Sequence, residues 1–218
     1  MAEVPSVATP ISAAEAAPML ITGLKETLGE IPYRDTAELV MAQVWLETGR
    51  GNLRNNNWGN LSSSAESDSG DFWRPPWFEV TEASSARNRY LHEQMLASKA
   101  PHAFRSYETV ELGLADYLAT LKRRFPIMLE AARDGSPSAF AQAVYDSGYT
   151  RDLEPSESAK SFASLMQEFE QKGLFDSLPK GGGWLWRPWA FWGSLGSSSG
   201  ALYASRAAGG ADRSLSHG

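Results

Sequence analysis

Apolar residues recur along this chain at helical spacing far more often than with the alternation of strands. Met19, Leu20, Leu24 and Leu28 share one helical face, opened by Ser12 as N-cap and closed near Gly29, ahead of Ile31-Pro32. Residues 39–46 are apolar except for Gln43, and Asp35-x-x-Glu38 supplies a helix start signal before them. A helix that is apolar on nearly every side is expected at the centre of the fold. Val110, Leu114, Tyr117, Leu118, Leu121 and Phe125 form a further stripe, punctuated by Pro126. Ser136-Pro137 opens a helix through Phe140 and Val144 that Gly148 closes. Phe162, Leu165, Met166 and Phe169 mark a last helix, stopped by Gly173.

The pattern breaks down between residues 62 and 102. Residues 62–70 are rich in Ser, Asp and Glu and read as a loop, and the aromatic run Phe72-Trp-Arg-Pro-Pro-Trp-Phe78 carries two prolines that forbid a central strand. Residues 78–82 read as a short strand with Phe78, Val80 and Glu82 on one face, and Tyr90, Leu91, Gln94 and Met95 as a short helix. The expected fold is mainly α: a flexible N-terminus over 1–10, an α-rich domain over 11–175 with a small irregular or β-containing lobe at 62–102, and a Gly/Trp-rich C-terminal tail over 176–218. Residues 184–192 hold four of the eight tryptophans, too short a patch to span a bilayer. Docking on the domain or on a partner protein is the expected role of such a patch, with membrane-interface contact second.

Composition narrows the chemistry. A length of 218 residues suffices for a full core without disulfides, and the absence of cysteine removes thiolate nucleophiles and thiolate metal sites. A net charge of −6 with no dense basic run argues against nucleic acid as partner; Lys122-Arg-Arg124 reads as the complement to a helix dipole. The start Met-Ala-Glu-Val-Pro lacks the basic and apolar parts of a secretory leader, and no run reaches the ~18 apolar residues of a membrane span. Neither a leader nor a transmembrane segment is therefore expected. His92, His102 and His217 have no ligand spacing, and no nucleophile elbow or phosphate loop is present, so neither metal nor cofactor is expected.

Carboxylates and aromatics remain. Glu47 stands at the last turn of the apolar helix, against Val44, Trp45 and Leu46 and directly before Gly49-Arg-Gly51. Burial and the negative end of the helix both disfavour its ionised form, which is the condition for a general acid. A Glu that has reached solvent at a fraying helix end is the plainer alternative. Carboxyl groups beside aromatic faces suit polysaccharide, whose rings stack on aromatics and whose bonds yield to positioned acids. Trp73 and Trp77 fit either a sugar platform or a small satellite core.

Five blocks in order, Ala42-Gln-Val-Trp-Leu-Glu-Thr-Gly-Arg-Gly51, Asn56-Asn-Trp-Gly-Asn-Leu61, Ala103-Phe-Arg-Ser-Tyr107, Gly113-Leu-Ala-Asp-Tyr117-Leu and Gly148-Tyr-Thr150, resemble the bacterial and phage glucosaminidase domain, glycoside hydrolase family 73, over about residues 35–170. The resemblance implies a lysozyme-like fold with Glu47 as catalytic acid, Tyr149 as a further catalytic residue near the scissile bond, and Asn57, Trp58 and Asn60 as substrate-binding residues in a loop beside the cleft; simple packing is the plainer alternative for Tyr149 and for Trp58. Phe104-Arg105 and Tyr107 belong to a block of structural character. The chain departs from the family at its Pro-rich insert, at Ser158 where an aromatic is common, and at bulky Trp45. Within the insert Glu82 is the candidate second carboxylate, followed by Glu79 and Asp71, and Trp77 a candidate substrate contact; the second step then uses either that carboxylate to activate water or the substrate's own N-acetyl group.

The activity so implied is hydrolysis of the β-1,4 bond after N-acetylglucosamine in peptidoglycan glycan strands, at the cell wall. Alternatives on the same fold are a lytic transglycosylase or a muramidase. A structural phage-tail or secretion-machine subunit with a vestigial domain is the alternative from another class. In either class the Trp-rich tail is a candidate contact to virion or secretion-machine proteins.

Overall fold

In the computed structural model, which describes residues 2–63, 70–75, 89–90, 92–93, 103–149 and 154–181, six helices dominate. They are α1 (Ala13–Leu28), α2 (Arg34–Glu47), α3 (Val110–Arg124), α4 (Pro126–Asp134), α5 (Pro137–Ser147) and α6 (Pro155–Gln171). Two short strands, β1 (Phe72–Trp73) and β2 (Phe104–Arg105), pair antiparallel with Phe72 opposite Arg105 and Trp73 opposite Phe104. The chain thus adopts the mainly α class that its periodicity predicts.

The helix ends follow from local chemistry. Ser12 and Glu15 form a reciprocal capping box on α1, and Gly29 closes it at φ 75°. Thr109 caps α3 through the Leu112 amide, and Lys122, Arg123 and Arg124 occupy its negative end. Pro126 does two jobs: it stops α3 and serves as the first residue of α4, a helix that the apolar pattern alone does not predict. Only Met128, Leu129 and Ala132 of its nine residues are buried, too few for a periodic signal.

Eleven of the 14 residues of α2 are buried, and Leu39, Val40, Met41, Ala42 and Val44 are fully so. Helix α2 packs on α1, α4 and α6, while α5 joins α4 to α6 and α3 covers α1. Burial on this scale contributes roughly 1.5–3 kcal/mol for each large apolar side chain. Trp45 belongs to this core, its ring edge-on to Phe169 at 6.1 Å, so its bulk lies in the interior and not in a cleft.

Three expectations change. The Asp35-x-x-Glu38 signal is no capping box: α2 begins at Arg34 with Tyr33 as N-cap and no side-chain cap bond. Its first turn is satisfied from the far end of the domain, where the Arg34 amide donates to the Pro179 carbonyl at 2.9 Å and its guanidinium to Asp176 at 2.6 Å. Phe175 and Leu178 are buried with the core, and the compact unit runs through Gly181, beyond the expected end at 175. The N-terminal residues, expected to be loose, are tied down. Val4 bonds Phe72, Val7 exchanges bonds with Asn55, and Thr9 and Ile11 donate to Leu53 and Gly51.

In the small lobe Trp73 is buried and stacks on Phe104 with centroids 5.1 Å apart, which makes it a satellite core residue. The expected strand over 78–82, most of the helix near 90–95 and the Trp-rich segment at 184–192 lie outside the described residues.

The start of α2 has a consequence for stability. Glu38 is buried, its Oε1 has no hydrogen-bond partner, and its pKa is pushed up to about 7 by burial first and then by Asp35, with Glu170 and Asp176 adding and Arg34 opposing. The folded protein then holds a proton that the unfolded chain releases near pH 4.5. Stability should therefore fall as pH rises from about 4.5 to about 7 and stay low above that. The loss is roughly 2 kcal/mol, reduced from the full linkage value because the exposed members of the cluster admit solvent. Glu38→Gln should recover that amount at pH 8 and gain little at pH 4.5. Urea unfolding at both pH values checks this, and an equal effect at each would remove Glu38 as the source.

Candidate active site

The site is built by what happens directly after α2. Thr48 closes the helix by donating its hydroxyl to the Val44 carbonyl at 2.7 Å, and the Arg50 amide reaches the Trp45 carbonyl at 2.7 Å. Gly49, Arg50 and Gly51 then all take left-handed backbone, with φ of 61°, 65° and 82°. At Gly51 no other residue fits, since a Cβ would stand 2.4 Å from the Ile11 carbonyl oxygen. The chain turns back at once, and Asn55, Asn56 and Asn60 carry it through further left-handed positions, which asparagine tolerates better than most residues.

Glu47, left at the mouth of this turn, is half-buried. Gln43, one turn earlier and almost wholly buried, donates its Nε2 to Glu47 Oε1 at 2.8 Å. Asn60 donates its side-chain amide to the Glu47 carbonyl, joining the loop to the helix end. Leu46, expected as a shield, is exposed. Two phenols stand within reach of the Glu47 charge. Tyr149 donates its hydroxyl to the Gly59 carbonyl at 2.9 Å, and its ring meets Phe125 edge-on at 5.0 Å. Tyr117 is completely buried beside it.

Both phenols have raised pKa values. For Tyr117 the cause is burial, then the Glu47 carboxylate; for Tyr149 it is burial, then Tyr117, then Glu47. Both therefore stay protonated at neutral pH and act only as hydrogen-bond groups within reach of the carboxylate's field.

Asn57 and Trp58 sit inside the loop. Asn57 is fully buried, accepting from the Leu61 amide at 2.8 Å and donating to the Leu61 and Arg105 carbonyls at 2.9 and 3.1 Å. Trp58 is equally buried, with Nε1 on the Val110 carbonyl at 2.8 Å. Every polar side-chain atom of these two residues is engaged within the protein, so their part is to hold the loop in shape. The structural character of the Phe104–Tyr107 block is borne out: Arg105 and Tyr107 both bind Asp116 Oδ2, at 2.6 and 2.5 Å.

Asp71 accepts from the Ala2 amide at 2.9 Å, which gives it an anchoring place. Ser158 is buried in α6. Glu82, Glu79 and Trp77 lie outside the described residues. Among the described residues no group of His, Asp and Glu could hold a metal ion. No described helix is long and apolar enough to cross a membrane. A groove of about 640 Å³ runs between α1 and α3, lined by Met19, Gly23, Leu114 and Leu118 among others, and contains none of the residues around Glu47.

Two members of the site escaped sequence reasoning. Gln43 carried a signal, being the sole polar residue in an apolar run and one turn before the acid. Tyr117 stands in the Gly113–Leu118 block with no role attached, because a tyrosine in a helical stripe reads as core whether or not its hydroxyl has work to do.

No family model and no curated protein matches the sequence. Among solved structures the chain is similar to a peptidoglycan hydrolase mutant from Sphingomonas sp. A1, with TM-score 0.48 and 20% identity over 73% of this chain and 94% of that one. It is also similar to the glycoside hydrolase domain from Salmonella typhimurium FlgJ, with TM-score 0.46 and 19% identity over 77% of this chain and 94% of that one.

Proposed function

We propose that this protein is a peptidoglycan hydrolase that cuts the β-1,4 bond after N-acetylglucosamine at the bacterial cell wall, with Glu47 as the general acid. The observation that carries the reading is the gathering of four chain segments around Glu47: Gln43 from α2 on its carboxylate, Asn60 from the loop on its backbone carbonyl, and Tyr117 from α3 and Tyr149 after α5 within reach of its charge. A surface glutamate at a fraying helix end attracts no such set. The carboxyl group stands half-exposed, accessible to a sugar chain, while its support comes from buried groups.

The roles follow from this placement. Glu47 passes its proton to the glycosidic oxygen as the bond breaks, and the Gln43 amide fixes which carboxyl oxygen faces outward. Tyr149 borders the scissile bond, and Asn57, Trp58 and Asn60 serve by shaping the loop. Glu82 is the proposed second carboxylate, activating water for the second step, and Trp77 the proposed stacking face for a sugar ring.

Two variants test the assignment. Glu47→Gln should reduce wall clearing in zymograms by roughly 10²–10⁴-fold, the usual worth of a general acid, with an unchanged melting temperature. Mass analysis of wild-type fragments should find reducing N-acetylglucosamine ends; 1,6-anhydro-muramic ends would reassign the protein as a transglycosylase, and reducing muramic ends as a muramidase. Gln43→Leu keeps the side-chain volume and removes the amide. It should lower kcat about tenfold, one hydrogen bond to a charged group, with KM little changed. Wild-type kcat in this variant would take Gln43 out of the mechanism.

A further inference from the structure

We propose that Tyr117 is a positioning residue for Glu47, its buried hydroxyl placed to donate a hydrogen bond to the carboxylate that forms when Glu47 gives up its proton. The inference rests on the functional reading above and adds to it a residue to which nothing in the family resemblance gives a role.

The geometry begins at Gly59. A Cβ there would lie 2.4 Å from Tyr117 Cε2, 2.5 Å from its Cδ2 and 2.5 Å from the Tyr149 hydroxyl oxygen, so the loop backbone and the two phenol rings interlock. The next residue, Asn60, holds the Glu47 carbonyl. Tyr149 commits its one hydroxyl hydrogen to the Gly59 carbonyl and has none left to give. Tyr117 differs: its buried hydroxyl oxygen forms no hydrogen bond of full geometry, and the group within interaction range of it is the Tyr149 hydroxyl, which has no hydrogen to spare. The titratable groups that the structure brings to this point are Glu47 from α2, Tyr117 from α3 and Tyr149 from the turn after α5.

A phenylalanine would fill the Tyr117 position equally well. A buried hydroxyl without a well-formed hydrogen bond adds nothing to the stability of the fold, so packing alone does not account for its presence. A polar group held without gain in stability beside a carboxylate is what a catalytic site requires when charge develops there during the reaction. While Glu47 carries its proton it offers only a weak acceptor; once the proton has moved to the leaving oxygen, the carboxylate is a strong one. Tyr117 gives no proton away, because burial and the Glu47 charge both raise its pKa. It donates a hydrogen bond and keeps its hydrogen.

Tyr117→Phe separates this role from a structural one. The variant should melt at the same or a higher temperature than wild type. Its Glu47 carboxyl, followed by carbon-13 NMR titration and identified by the signal that Glu47→Gln removes, should ionise about tenfold less readily. On purified peptidoglycan kcat should fall at least tenfold with KM within twofold. An unchanged Glu47 titration overturns the inference, and so does a lowered melting temperature, which would make the hydroxyl a structural group. If the titration moves as expected but the wild type releases no fragments, the Tyr117–Glu47 hydrogen bond stands and the proposed hydrolase activity falls.

Discussion

The chain reverses immediately after its most buried helix, and the position of every other group at the candidate site depends on that reversal. Helix α2 cannot shift or rotate without exposing apolar residues on several faces, so its last turn is fixed by packing alone. The three consecutive left-handed residues that follow leave the Glu47 side chain at the point where the backbone departs. A right-handed continuation would carry Glu47 into the middle of a longer helix, with the loop too far away for Asn60 to reach it. Arg50 is the residue that bears the strain, since it takes a left-handed conformation without the freedom of its glycine neighbours. Its ion pair with Glu168 at 2.8 Å ties it to α6.

The loop that results is held from outside as much as from within. Asn55 accepts from the Val7 amide and donates to the Pro5 carbonyl, Asn56 donates its backbone amide to the Thr9 hydroxyl and its side chain to the Tyr107 carbonyl, and Asn57 links the loop to the strand block. Helix α3 completes the frame: Gly113 approaches so closely that a Cβ would stand 1.8 Å from the Asn56 carbonyl oxygen. These contacts join residues about fifty positions apart, so their ordering entropy is met once, by the whole domain folding, and not by the loop itself. A site framed in this way is preorganised by the fold, and its loop has little need of a ligand to take shape.

This division explains what could be read in advance. Caps and stripes are local, and Ser12, Gly29, Ser136, Gly148 and the four apolar faces placed most helices correctly. Helix α4 was missed because nine residues with three buried positions do not repeat often enough to declare a period. The start of α2 was misread because the Arg34 amide is satisfied by Pro179, some 145 positions away, which no local motif reveals. Glu47 was legible because an acid at the end of an apolar run is locally anomalous. The asparagines were legible as a cluster but not in their work, since an Asn that holds a backbone in left-handed conformation and an Asn that meets a ligand look alike in sequence.

Glu38 and Glu47 show how one helix can carry opposed demands at its two ends. Glu38 Oε1 near its start and the Tyr117 hydroxyl beside Glu47 at its end are both buried without a full hydrogen bond, and both are tolerated because the five fully buried apolar residues between them contribute several kcal/mol. Nine residues separate the two carboxyl groups, about 13 Å along the helix axis. The charges that move the Glu38 carboxyl are those of Asp35, Arg34, Glu170 and Asp176, and Glu47 is not among them. Protonation of Glu38 therefore acts on the stability of the fold without acting directly on Glu47. The pH dependence of stability and that of activity should arise from different ends of one helix, and a substitution at either end can move one while leaving the other in place.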